Sequence, residues 1–263
     1  MDNRRKYTFN VVVNGASGTD AAYQLHKGSV SIKYNSTTLK SYTIWRGASY
    51  YGYPAGGGSP YYTAIKKNGK WWAPINCGAT RVAQAGDGKN GIVAGAGNMY
   101  QWGRYEPTNH GGPIVSGLTS NTRPGNNIFY KAPDSPHNWL NSQNNSLWNG
   151  SSKGVNDPCP SGYRVPTTEE LMSIGNANSW DGNSALFKVN AESGCPQLIL
   201  PAAGYRWFDS GSSGQQGSYG DYWSSSIPSG SILAGAARFV NSTTLFQATL
   251  KRASGSSVRC IRQ

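Results

Sequence analysis

Residues 156–175 read NDPCPSGYRVPTTEELMSIG and contain a cysteine, turn-setting prolines at 158 and 160, a short strand and the one clear helix start in the chain. Pro166-Thr167-Thr168-Glu169-Glu170 is an N-cap threonine followed by acidic residues in the first turn, where they satisfy free backbone N–H groups and suit the positive end of the helix dipole. Leu171, Met172 and Ile174 give that helix its apolar side. Most of the remaining sequence is strand and turn material.

Working outward, residues 61–65 and 71–75 predict a hairpin across Lys67-Asn68-Gly69-Lys70, because Asn-Gly supplies the positive φ angles a tight hairpin turn needs. Trp71 and Trp72 then point to opposite faces, one to the core and one under a loop. Residues 98–103 (NMYQWG) form a short aromatic strand. Residues 104–155 lack periodicity and carry five prolines. A segment that long is expected to be an ordered insertion, pinned by Trp139 and Trp148. A second helix is read near Asn190, strands at 197–201 and 221–225, a Gly/Ser loop at 208–221, and a closing meander near 234–240, 244–250 and 257–262.

Upstream, residues 7–13, 29–34 and 41–45 read as strands. Residues 1–50 are therefore taken as a partial β domain or docking sheet, residues 51–58 (YGYPAGGG) as a linker, and 59–263 as the main domain.

Three segments carry a family resemblance. CPSGYRVPTTEEL resembles the cysteine-proline-x-glycine-aromatic hallmark of the Fibrobacter succinogenes major paralogous domain family. YTAIKKNGKWWAPINCGAT at 62–80 is similar to a second motif, and LPAAGYR, GDYWSSS and SSVRCIR between 200 and 262 to a third. The resemblance implies an α+β, C-type-lectin-like fold with long loop insertions, a fold also used by formylglycine-generating enzymes and by the variable proteins of diversity-generating retroelements. Residues 1–50 resemble the end of an immunoglobulin-like or fimbrillin-like domain.

Composition supports a loop-rich exported protein. Gly and Pro number 34 and 14, and 16 Tyr and 9 Trp supply packing area that scarce aliphatic residues do not. The formal net charge is +12, yet the basic residues are scattered and acidic residues are few, so no nucleic-acid partner is expected. No apolar run approaches the roughly 18 residues that cross a membrane. Met1 is not followed by a signal peptide, so an exported chain would begin after its signal or after upstream domains.

Cys77, Cys159, Cys195 and Cys260 lie far apart, and His26, His110 and His137 have no metal-ligand spacing with them. Three disulfide pairings are open, as is a set of buried reduced thiols. The resemblance implies Cys159–Cys260, between neighbouring first and last strands of the fold, and leaves Cys77–Cys195.

No catalytic constellation is found. His110 and His137 sit in the insertion as loop histidines, and Glu169 and Glu170 are accounted for by capping. Calcium sites of the lectin type need clustered oxygen ligands that the isolated carboxylates do not provide. No metal, cofactor or enzymatic activity is expected.

The resemblance to retroelement variable proteins places ligand contacts late in the chain, on a framework that includes Trp223, Phe239, Val258 and Arg259. Candidate ligand-binding positions between them are Ile232, Leu233, Gly235, Ala236, Arg238, Val240, Asn241, Thr243, Leu245, Thr249 and Leu250. All are residue types that adenine-directed mutagenesis of asparagine codons reaches, whereas Gln247 and Lys251 are not. The implied function is non-catalytic recognition by an exported adhesin on a cell surface, a pilus tip or a phage particle, similar to Bacteroidales surface adhesins, with a protein or glycan on another cell as partner. The alternatives are a fimbrial or envelope subunit that only packs against neighbours, and an oxidoreductase related to the formylglycine-generating group.

Overall fold

The computed structural model describes residues 26–34, 36–46, 64–192 and 195–263. The expected strand at 7–13 and the linker at 51–58 lie outside them. The described residues fall into two units. The first is an antiparallel hairpin of His26–Tyr34 and Thr37–Arg46, with a register shift between Ile32 and Lys33.

The second unit, from residue 64 onward, is mainly β. Among the described residues its helices are three single turns, Asp87–Asn90, Val93–Ala96 and Thr168–Met172, so the α part of the expected α+β class is slight. The described residues near Asn190 hold no helix, which corrects the one read there; Leu186–Val189 is a strand pairing with Ser179–Asp181 and Leu198–Pro201. Burial of Leu186, Phe187 and Val189 against apolar Leu198 and Leu200 holds that segment in a sheet.

Two sheets organise the unit. One runs in the order Ile65–Lys67, Lys70–Trp72, Ile261–Arg262, Tyr163–Arg164, so the chain's last strand lies between the Asn68-Gly69 hairpin and the strand of the 156–175 segment. Asn68 and Gly69 take φ of 48° and 73°, the positive values expected for the turn. The other sheet carries Ser213–Gly214, Tyr205–Arg206, Gly255–Ser257, Tyr219–Trp223, Ala234–Val240 and Phe246–Leu250 in that order, with Met99–Gln101 joined to Gly255–Ser257.

Cys159 and Cys260 are bonded, their Cα atoms 5.8 Å apart, tying the start of the 156–175 segment to the last strand. Cys77 and Cys195 are free thiols, which corrects the second expected pair. Cys77 is buried with the Cys159–Cys260 core, its Sγ 3.3 Å from the Tyr100 hydroxyl and 3.2 Å from the Pro158 carbonyl. Cys195 packs instead against the opposite core, where its Sγ accepts from the Lys66 N–H.

The helix start has a full capping box. The Thr167 side chain accepts from the Glu170 N–H, and the Glu170 carboxylate accepts from the Thr167 N–H at 2.8 Å. Glu170 also takes both Arg164 guanidinium nitrogens at 2.6 and 2.7 Å. Burial pulls its carboxyl upward, but these hydrogen bonds pull harder and leave its pKa below the ordinary value.

Aromatic residues make the cores. Trp102, Trp148, Trp223 and Tyr100 surround the disulfide on one side of the C-terminal sheet, while Trp72, Phe187, Tyr222 and Phe239 fill the other. Trp72 is core and Trp71 lies half-covered against the disulfide side, so the two do face opposite ways. Each such side chain contributes about 1.5–3 kcal/mol by leaving water. The insertion is pinned as expected: the Trp139 indole donates to the Trp102 carbonyl at 2.7 Å and the Trp148 indole to the Asn156 carbonyl at 3.0 Å.

The basic charge is partly internal. Arg206 is buried, and its hydrogen bonds all go to backbone carbonyls, of Thr108, Asn109, Gly112 and Gly211. Arg104 likewise donates to the carbonyls of Asn126 and Ile128, and Arg259 to those of Ala73 and Ile199. Arg104 and Arg206 staple long loops whose carbonyls have no ladder partner, and Arg259 ties the edge strand Leu198–Pro201 to Ala73, each using the fork of donors a lysine lacks. Desolvation pushes the Arg104 and Arg206 pKa values down to about 10, still charged at neutral pH.

Candidate functional site

Register divides the C-terminal sheet into two faces. Tyr219, Asp221 and Trp223 alternate along one strand and lie opposite Val240, Arg238 and Ala236. Gly220 and Tyr222, opposite Phe239 and Ala237, point the other way, into the core. The first face is covered only at one end. Trp223, Ala234 and Ala236 sit beneath Trp102 and Trp148, whereas Tyr219, Asp221 and Arg238 open into a groove of about 300 Å³.

Tyr205 from the Tyr205–Arg206 strand, with Trp207 and Phe208 just after it, completes the aromatic lining. Thr249, Leu250, Lys251 and Ser254 close the groove along the end of the last long strand. Tyr205 meets Trp207 edge-on at 4.8 Å and Tyr219 edge-on at 5.9 Å. Trp207 is 41% exposed, yet it is placed: a Cβ on Gly214 would stand 2.9 Å from its Nε1, so the glycine lets the indole rest on the strand. The groove is therefore formed before any ligand arrives, with its rings held by one another.

Charge in the groove is arranged around Asp221. Its carboxylate accepts from Arg238 Nε at 2.6 Å and Nη2 at 2.7 Å, and the guanidinium lies over the Tyr205 and Tyr219 rings at 5.8 and 5.3 Å. Burial pushes the Asp221 carboxyl up, and Arg238 opposes that without cancelling it. The same bond raises the Arg238 pKa. Lys251 Nζ stands 3.7 Å above the centre of the Phe208 ring.

Of the positions expected to bind ligand, Arg238, Thr249 and Leu250 line this groove. Ile232 is exposed but lines a separate polar cleft with Asn145 and Ser231. Leu233 and Val240 are half-buried, and Asn241 and Thr243 are exposed in the turn before the Phe246–Leu250 strand. Three positions are corrected because they are buried. A Cβ on Gly235 would come within 2.5 Å of Thr168 Oγ1 and 2.8 Å of Ser224 Oγ, so the capped helix leaves no room for a side chain there. Ala236 belongs to the core around Trp223, and Leu245 to that around Phe239. The framework residues Trp223, Phe239, Val258 and Arg259 are all buried.

Tyr205, Trp207, Phe208, Tyr219, Asp221 and Lys251 were not among the expected site residues. The period-two pairs Tyr205-x-Trp207 and Tyr219-x-Asp221 place aromatic and acidic residues on one face of two strands, a signal present in the sequence.

The other reactive side chains have local partners. His110 Nδ1 lies 2.9 Å from Ser213 Oγ, and among the described residues no carboxylate is hydrogen-bonded to the ring. Burial first, then the Arg206 charge, pulls its pKa down to about 4. His137 Nδ1 lies 3.2 Å from the Ala132 carbonyl and its ring meets the Phe208 ring. The Cys77 thiol is pushed up to about 11 by burial. Among the described residues, no group of three His, Cys, Asp or Glu could hold a metal ion, and no helix is long and apolar enough to cross a membrane.

Comparison with protein-family models, curated proteins and solved structures gives no match to this chain.

Proposed function

We propose that the chain is a non-catalytic recognition protein whose ligand is held in the aromatic groove of the C-terminal sheet. The observation that carries this reading is the groove itself: preformed, lined by interlocked rings, and containing an exposed indole on a glycine seat. A concave aromatic surface with a few placed polar groups is the usual form of a small-ligand site.

The domain type proposed is C-type-lectin-like, of the Fibrobacter major paralogous kind, with 59–263 as its extent. Two features support it: the tie between the CPSGYR segment and the VRCIR segment through Cys159 and Cys260, and the adjacency of their strands. The setting is an exported adhesin, on a cell surface, pilus tip or phage particle, recognising a glycan or protein on another cell. Retroelement diversification of the C-terminal face applies to the exposed and half-buried positions only, without Gly235, Ala236 and Leu245. A nearby near-identical nucleotide repeat differing at adenines is its direct sign.

The test is a screen against glycans and cell surfaces with the wild type and Trp207→Ala. Trp207 is better suited than Arg238, whose removal also breaks a buried ion pair. Specific binding that Trp207→Ala abolishes while the unfolding midpoint stays unchanged supports the reading. Specific binding unaffected by that change moves the site elsewhere.

A further inference from the structure

From the groove's chemistry, and resting on the recognition reading above, we infer that its ligand is a carboxylate-bearing sugar, a hexuronic or sialic acid residue of a glycan. The rings of Tyr205, Trp207 and Tyr219 present apolar faces, and the C–H faces of a pyranose are the flat apolar surface that such rings accept. A volume of about 300 Å³ lies at the low end of small-ligand sites, suited to a short saccharide terminus rather than a long chain.

The charge balance favours an anion. Among the described residues Asp221 is the only carboxylate lining the groove, and both its oxygens are taken by Arg238. Those two bonds use Arg238 Nε and Nη2 and leave Nη1 uncommitted, on a side chain that is 24% exposed. Lys251 Nζ has the Phe208 ring as its contact and no carboxylate partner. The groove therefore carries one net positive charge beside its aromatic floor, with an ammonium and a guanidinium nitrogen available to a ligand carboxylate. Neutral sugars would leave Lys251 unmatched, and a purely apolar ligand would leave both donors facing it.

Titration calorimetry with matched probes tests the inference. One arm uses trigalacturonate and its methyl ester, the other sialyllactose and its methyl ester; each pair has the same rings with and without the charge. The expected result is binding of one acid at least tenfold tighter than its ester, an advantage lost in Lys251→Ala. Binding of both acid and ester should be lost in Trp207→Ala, with unfolding midpoints of both variants near wild type. The arm that binds identifies the source of the carboxylate. Equal binding of acid and ester, with loss in Trp207→Ala, overturns the acidic-sugar inference and leaves the groove as a site for neutral saccharide. Acid binding unchanged in both variants overturns the groove as the site. Binding in neither arm overturns the inference, and the glycan and cell-surface screen then decides the broader reading alone.

Discussion

Replacing Arg238 by Met isolates the ion pair on which the groove is built. Asp221 is 1% exposed and has Arg238 as its hydrogen-bond partner, directly opposite across the two central strands. Removing one partner of a buried pair strands the other charge, at a cost of about 3–5 kcal/mol. Because the Arg238 side chain is 24% exposed, water can reach the vacated space, which puts the loss near the lower end, about 3 kcal/mol. Urea unfolding followed by tryptophan fluorescence at pH 7 measures it, and the double variant Asp221→Asn/Arg238→Met should recover about 2 kcal/mol by removing the stranded charge. The pH dependence has a defined sign. Burial holds the Asp221 pKa above its unfolded value of about 3.9, so the folded state favours the protonated form. That contribution is full below the unfolded pKa and is lost as pH rises through the folded one. Without Arg238 the elevation grows, so the deficit of Arg238→Met should narrow as pH falls toward 4. A loss under about 1 kcal/mol, or a deficit equal at pH 4 and pH 7, would falsify the buried-pair account and make this an ordinary surface contact.

Further outcomes follow from the same structure. Cys159→Ala/Cys260→Ala opens a crosslink spanning 101 residues and should cost about 2–5 kcal/mol in guanidinium unfolding, with the native oxidised protein as reference. Ellman titration without reductant should count two thiols after unfolding, and Cys77 should stay silent in the native state because its thiol is buried and protonated; four thiols would contradict the disulfide. Thr167→Ala should cost about 1 kcal/mol, and Glu170→Gln more, since Arg164 loses its partner as well. The lowered Glu170 pKa gives stability that is present above the unfolded value near 4.3 and lost as pH falls through the folded one, so Glu170→Gln should flatten the acid limb of a stability profile. Gly235→Ala should cost about 1–3 kcal/mol by overpacking against Thr168 and Ser224, and an unchanged unfolding midpoint would restore position 235 to the candidate binding set.

What could be read from the sequence was local chemistry. Asn68-Gly69 fixes a turn through its own φ angles, the Thr167–Glu170 box needs only four consecutive residues, and Trp139 and Trp148 offer the largest apolar area in a segment without periodicity. The strand near Asn190 escaped because its partners, Ser179–Asp181 and Leu198–Pro201, decide its conformation more than its own composition does. The faces of Ala234–Val240 follow from alternation, but which end of a face is covered depends on Trp102 and Trp148, distant in sequence. That is why Ala236 was expected at the surface and is core. The charge was misleading for a similar reason: Arg206 and Arg259 count toward +12, yet they are committed to backbone carbonyls inside the molecule. The groove needed residues from four separated segments, around 205, 219, 238 and 250, and only the sheet order brings them together.

The most direct test of the groove as the recognition site is the indole region of a proton–nitrogen NMR spectrum during titration with the saccharide or cell-surface fraction that the screen identifies. Trp207→Phe assigns the Trp207 indole signal. Ligand should shift that signal together with backbone amides of Tyr205, Tyr219, Arg238 and Lys251, leaving the buried Trp102, Trp139 and Trp148 indoles in place. Shifts confined to the polar cleft at Asn145 and Ile232 or to the His26–Arg46 hairpin, with Trp207 unmoved, would contradict it.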